Sequence, residues 1–181
     1  MSVRVFWRVR SSIKRLAGSR ALRSVRHVIW RDPGAVETLD LASGPGGPDG
    51  MPRPPLRFVE EHFGGSQPCV SVRDGAGRLW RVKWGDEVRA EALATRLAWA
   101  AGYFVETTYY VAHGRIEGVP PLQRAAACVD ADGCFTEARF EREEERVITH
   151  FEEHSWAWND NPFVGSRELN GLKILVMLLS N

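Results

Sequence analysis

The chain has 181 residues, 44% of them hydrophobic and 26% charged, with a formal net charge of +1. These are globular proportions, which exclude an extensively disordered polymer, and the length suits one ordinary domain or part of a larger one. No apolar run approaches the roughly 18 residues of a membrane-crossing helix.

The near-zero charge conceals an asymmetry. Residues 1 to 31 carry eight Arg and Lys14 and no acid, which leaves 15 basic against 23 acidic side chains, a formal −8, on the rest. Such an arm suits contact with something anionic, or a solvated leader. Its basic residues alternate with apolar ones such as Val3, Phe6, Trp7, Val9, Ile13, Leu16, Leu22, Ile29 and Trp30. Three readings of the arm stay open. The arm fits a membrane surface as an amphipathic helix, fits an organelle transit peptide, and fits nucleic acid, although no DNA-binding module is recognisable. It lacks the continuous apolar core of a secretory signal.

Leu41 to Pro55 reads LASGPGGPDGMPRPP, a composition that favours neither helix nor central strand, and is expected to be a linker. The folded part is expected from Leu56. Leu56 to Phe63 is a first strand, broken by Gly64-Gly65-Ser66-Gln67-Pro68. Cys69 to Arg73 and Leu79 to Trp84 alternate as strands about a turn at Asp74-Gly75-Ala76-Gly77, whose residues tolerate positive φ. Lys83 is expected to point inward from the second of them.

Asp86 is placed to cap a helix over Glu87 to Ala101, with an apolar stripe at Ala90, Leu93, Ala94, Leu97 and Ala101 and a stop at Gly102. Tyr103 to Ala112 is aromatic and β-branched, a strand turned by His113-Gly114, with a short strand at Arg115 to Val119. Asp130 to Gly133 reads as an ordinary turn, because the Glu that closes a calcium loop is missing. The charged stretch Arg139 to His154 is expected to be helical. SWAWNDNPFV, residues 155 to 164, is an aromatic loop expected to wedge onto a core, and Ser166 caps a final helix. That helix is apolar nearly all round and calls for a covering body, so the chain is expected to be a fragment.

Three groups of residues invite chemistry. The first is Lys83 on a strand, Glu91 on the next helix, and the turn Gly64, Gly65, Ser66. A nucleotide triphosphate needs backbone amides over its phosphates and a held cation on them, and a strand Lys paired with a helix Glu supplies the cation. The second is His150-Phe151-Glu152-Glu153-His154, an H-x-x-E-H pattern. On a helix it presents two zinc ligands, His150 and His154, with Glu153 as base and Glu168 as the nearby third ligand. The third is the odd set Cys69, Cys128 and Cys134, with no CxxC spacing, which reads as free thiols in a reducing, cytoplasmic setting.

Residues 81 to 111, RVKWGDEVRAEALATRLAWAAGYFVETTYYV, resemble the amino-terminal lobe of atypical kinases of the HipA, secretory-pathway and phosphoinositide types. SWAWNDNPFVGSRELNGLKILVMLLSN, residues 155 to 181, resembles a pattern in a group of bacterial proteins of that kind. The resemblance covers roughly residues 58 to 181 and departs in lacking the GxGxxG of ordinary protein kinases. It implies an α+β fold: a kinase-like N-lobe, a small antiparallel sheet with one crossing helix, and the start of a helical second lobe. The expected division is arm and linker over 1–55, the lobe with an insertion over 56–165, and the first C-lobe helix over 166–181. It further implies ATP and Mg, with Lys83, Glu91, Gly64, Gly65 and Ser66 as the nucleotide-binding set and an unspecified phosphoryl acceptor. The family's catalytic loop would fall beyond Asn181, so the expected function is the nucleotide-binding half of a phosphotransferase, inactive alone. A non-catalytic, pseudokinase-like binding module is the alternative, and a zinc hydrolase the third.

Overall fold

The computed structural model describes residues 28–143 and 157–179. Strand β1 spans Leu56–His62, β2 Cys69–Arg73, β3 Leu79–Lys83, β4 Thr108–Glu117 and β5 Cys134–Arg142; helix α1 spans Val88–Ala100 and α2 Arg167–Leu179.

The open kinase-like lobe expected from the sequence is not what forms. The strands close into a barrel in the order β1-β2-β3-β5-β4. Every neighbouring pair is antiparallel except β1 and β4, which pair in parallel through Leu56 with Ile116 and Arg57 with Glu117. Closure has an apolar cause. Leu56 and Ile116 are both buried in the core, and an open sheet would leave them at two wet edges. The β1–β2 register shifts between Phe58 and Glu60, an irregularity of the kind that bends a strand.

Alternation decides which side chains fill the barrel. Trp80 and Val82 of β3 are buried, as are Val70 and Val72 of β2 and Ala138 and Phe140 of β5. Trp80 meets Tyr109 and Phe140 edge-on, with ring centroids 5.9 and 6.2 Å apart, an arrangement aromatic rings favour. Arg81 and Lys83 therefore lie on the outer wall, and the inward-pointing Lys83 expected from the sequence is corrected.

Two strand boundaries also differ. The turn expected at His113-Gly114 is absent, and β4 runs through it to Glu117. Gly114 serves packing instead, because the Phe135 ring occupies the space a Cβ would take. Residues 139–142, expected to begin a helix, belong to β5: Ala138 and Phe140 are buried while Arg139 and Glu141 pair outside, a period of two. Residues 144–154 of that expected helix lie outside the described residues.

Residues 41–55 are laid across the barrel rather than strung away from it. They contain 3-10 turns at Gly44–Gly46 and Pro48–Gly50. The Tyr109 hydroxyl donates to the Gly47 carbonyl at 2.7 Å, and Arg78 donates to the carbonyls of Gly50 and Met51. Glycine at 46 and 50 is what permits this approach, since a Cβ at either would collide with the Tyr109 hydroxyl.

Helix α1 packs on the outside of β4 and β5. It stops at Gly102, which has φ +92°. Helix α2 begins as expected, with Ser166 Oγ accepting from the Leu169 amide at 3.1 Å. Its Leu172 packs with Ala98 and Tyr103 at the end of α1, while Ile174, Met177 and Leu178 are exposed.

Candidate functional site

The outer wall beside α1 collects four charges. Lys83 ends β3, and its cross-strand neighbours are Cys69 and Arg139. Lys83 Nζ lies 2.8 Å from Glu141 Oε2, and the other oxygen of Glu141 lies 2.7 Å from Arg139 Nη2. The same Nη2 is 3.0 Å from Glu91 Oε2 on α1. The order is Lys83–Glu141–Arg139–Glu91, two cations and two carboxylates, all partly or fully buried. The direct Lys83–Glu91 pair expected from the sequence is replaced by this relay, with Glu141 and Arg139 as intermediates.

The Glu91 end is the looser one. Its Oε2 is buried and within ion-pair range of Arg139, yet it makes no aligned hydrogen bond, and Arg139 Nε is likewise without one. Burial pushes the Glu91 carboxyl above the usual carboxylate range, and the opposing pull of Arg139 only partly offsets it. Next to Lys83, burial raises the Cys69 thiol to about 11, so it is an unreactive, protonated group at neutral pH. Arg81, one position back on the same wall, is held by Glu143 at 2.6 Å.

The turn Gly64, Gly65, Ser66 is exposed, and Gly65 has φ +87°, which explains a glycine there. Arg124 donates to the carbonyls of Gly64 and Gly65 at 3.0 Å each. Glu61 in turn accepts the amides of Gln123 and Ala125, so the β1–β2 turn and the segment around Arg124 brace each other. The far end of the turn reaches the Lys83 strand, where Trp84 donates to the Pro68 carbonyl at 3.3 Å.

Arg139, Glu141 and Arg124 were missed by sequence reasoning. The signal for the first two was present in the alternation of Ala138, Arg139, Phe140 and Glu141, but the run of charge that follows masked it. Nothing in the sequence around Arg124 points to the glycine turn it braces.

The other candidates fare differently. His150, Glu153 and His154 lie outside the described residues, as does Trp156. Glu168 sits exposed in the first turn of α2, where its carbonyl accepts from the Tyr103 hydroxyl at 2.8 Å. Among the described residues no group of three or more His, Cys, Asp or Glu gathers in a metal-holding arrangement. Asp130 forms the expected turn, its Oδ1 accepting the amides of Asp132 and Cys134. Cys69, Cys128 and Cys134 are all free. Among the described residues no helix is long and apolar enough to cross a membrane.

No family model, curated protein or solved structure matches the chain.

Proposed function

We propose that this chain holds a nucleotide for phosphoryl transfer, with the phosphates of ATP received at Lys83 beside the Gly64–Ser66 turn. The observation that carries this is the tethering of Lys83: a strand lysine held at 2.8 Å by a carboxylate that is itself chained through Arg139 to a helix carboxylate. Phosphate binding asks for an ammonium fixed in place, with amides of a glycine turn nearby. In this reading Lys83 exchanges Glu141 for a phosphate oxygen, and Glu141 keeps its other partner, Arg139. Magnesium would accompany the phosphates of ATP, held there by one or two carboxylates and water, and no step is assigned to it. The phosphoryl acceptor is left open.

One observation favours a second reading, binding without chemistry. The four-membered cluster is electrically neutral, with each cation already matched by a carboxylate, which is how a structural ion-pair network is built. The two readings share nucleotide binding and differ in whether the bound phosphates are set up for transfer.

Titration of the purified chain with a fluorescent ATP analogue, with and without magnesium, tests the shared claim. Binding is expected for the wild type, weakened about tenfold or more by Lys83→Met, the effect of losing a hydrogen bond to a charged group. Absence of binding at millimolar nucleotide, or equal binding by the variant, rejects the site. A phosphate-release assay on the same samples is expected to stay at background on either reading, because neither assigns this chain a catalytic residue.

A further inference from the structure

On the other flank of α1 from the charge relay lies a shallow hollow of about 410 Å³, lined by Arg89, Ala92, Leu93 and Arg96 of the helix and by Tyr110 and Ala112 of β4. Its floor is apolar and its two ends are basic. Leu93 is 56% exposed, a large apolar side chain left in water. Arg96, half-buried, lines one end; its Nε is buried without a hydrogen-bond partner, and the Asp40 carboxylate lies within its electrostatic reach.

Arg89, at the other end, shows what such a group binds. It donates to the Tyr110 hydroxyl at 3.0 Å, stacks over that ring, and pairs with the carboxylate of Glu137. That pair is 66% and 55% exposed, and exposed ion pairs are weak enough to exchange partners. Glu137 also has φ +50° within β5, a conformation that costs a residue with a Cβ.

We infer that this hollow docks an extended acidic peptide segment in which two carboxylates, four residues apart, flank an apolar side chain midway between them. Spacing sets the period. Arg89 and Arg96 are seven residues apart on a helix, about 10 Å along its axis. In an extended chain residues i, i+2 and i+4 share a face, and i to i+4 spans about 13 Å, a separation that two flexible arginine side chains can meet. One carboxylate engages Arg96, the other takes the place of Glu137 on Arg89, and the apolar residue between them covers Ala92 and Leu93. Charge complementarity at both ends and an apolar middle are what such recognition uses. The surface is independent of nucleotide binding at Lys83.

Selection of a random short-peptide library displayed on phage against the whole chain tests this. Enriched sequences are expected to carry paired acids around an apolar residue. A representative peptide is then synthesised and titrated. Arg96→Glu and Leu93→Asp are each expected to weaken it about tenfold or more, while Arg73→Glu, the same charge change on β2, leaves it unchanged. Leu93 is exposed, so its variant remains informative if Arg96→Glu fails to fold. Failure to enrich any peptide, enrichment of peptides without paired acids, or an equal loss with Arg73→Glu overturns the inference.

Discussion

At the scale of single residues, Asp74 carries more of the structure than its place in a hairpin turn implies. Its side chain is fully buried and accepts from the amides of Arg53, Ala76 and Arg78, from the Arg78 guanidinium, and from the Trp80 indole. It thereby joins the β2–β3 hairpin to the Gly/Pro-rich segment before β1. Burial alone would raise this carboxyl, but the Arg78 hydrogen bond and the others overcome it and hold it below its ordinary 3.8. An acid held lower in the fold than in the unfolded chain stabilises the fold above its unfolded value, and loses that contribution as pH falls through the lower one. Asp74→Asn is therefore expected to cost about 3 kcal/mol at neutral pH, because it leaves Arg78 facing a buried neutral group. In thermal melts recorded against pH, the wild type should lose its advantage over the variant below about pH 4. A constant gap down to pH 2 would contradict this. The turn itself was legible from Asp74 to Gly77, since residues tolerant of positive φ sat between two alternating runs. The burial of Asp74 was not, because it depends on Arg53 and Trp80, which no local pattern ties to it.

At the scale of elements, β2 and β3 appeared where alternation placed them, and α1 where its helix-favouring composition and its glycine stop placed it, but the expected stripe is not its buried face: Val88, Ala92 and Ala98 are buried, while Ala90, Leu93, Leu97 and Ala101 are exposed. The failures among the strands have a shared cause. Residues 139–142 and 113–114 were judged by local composition, charge in one case and a His-Gly pair in the other, whereas their conformation is set by what they pair with across the sheet. The stop of α1 shows local and tertiary demands agreeing. Gly102 takes a left-handed φ, and a Cβ there would overlap both the Arg31 carbonyl and the Trp30 indole. Trp30 itself donates to the Ala101 carbonyl at 2.7 Å, and Arg31 to that of Gly102 at 2.9 Å. One glycine thus ends a helix and seats Trp30 and Arg31. Gly102→Ala should cost about 2 kcal/mol or more, from backbone strain plus the displaced tryptophan. Urea unfolding measures the cost, and a red shift of tryptophan emission before the main transition would report release of Trp30. A variant as stable as the wild type would mean that the seat is not needed.

At the scale of the whole molecule, the Gly/Pro segment and α2 illustrate the reach of composition. A run such as LASGPGGPDGMPRPP is poor in regular structure, and so it proved, with only short 3-10 turns. What composition does not carry is where such a run goes, and here its glycines let it press against Tyr109. For α2 the uniform apolarity was legible, and Leu169 and Leu172 are buried as that demands, while Ile174, Met177 and Leu178 remain in water among the described residues. The charge relay was half legible. Lys83 and Glu91 stood out as a strand lysine followed by a helix carboxylate, but their two go-betweens lie on β5, more than 45 positions further along the chain than Glu91.

The parallel seam of the barrel has a kinetic side. Leu56 and Ile116 meet across 60 positions of sequence, whereas β1, β2 and β3 form a meander joined by short turns. Chain entropy makes the distant pairing the costlier one to begin, and only two residue pairs reward it. The barrel is therefore expected to pass through an open, unclosed sheet on its way to the native state. In pulse-labelled hydrogen exchange, amides bridging β1 and β4 should gain protection after those joining β2 to β3; simultaneous protection would show that the seam is part of the folding nucleus. Closure is then the last event of folding, and the seam the first place where the finished wall gives way.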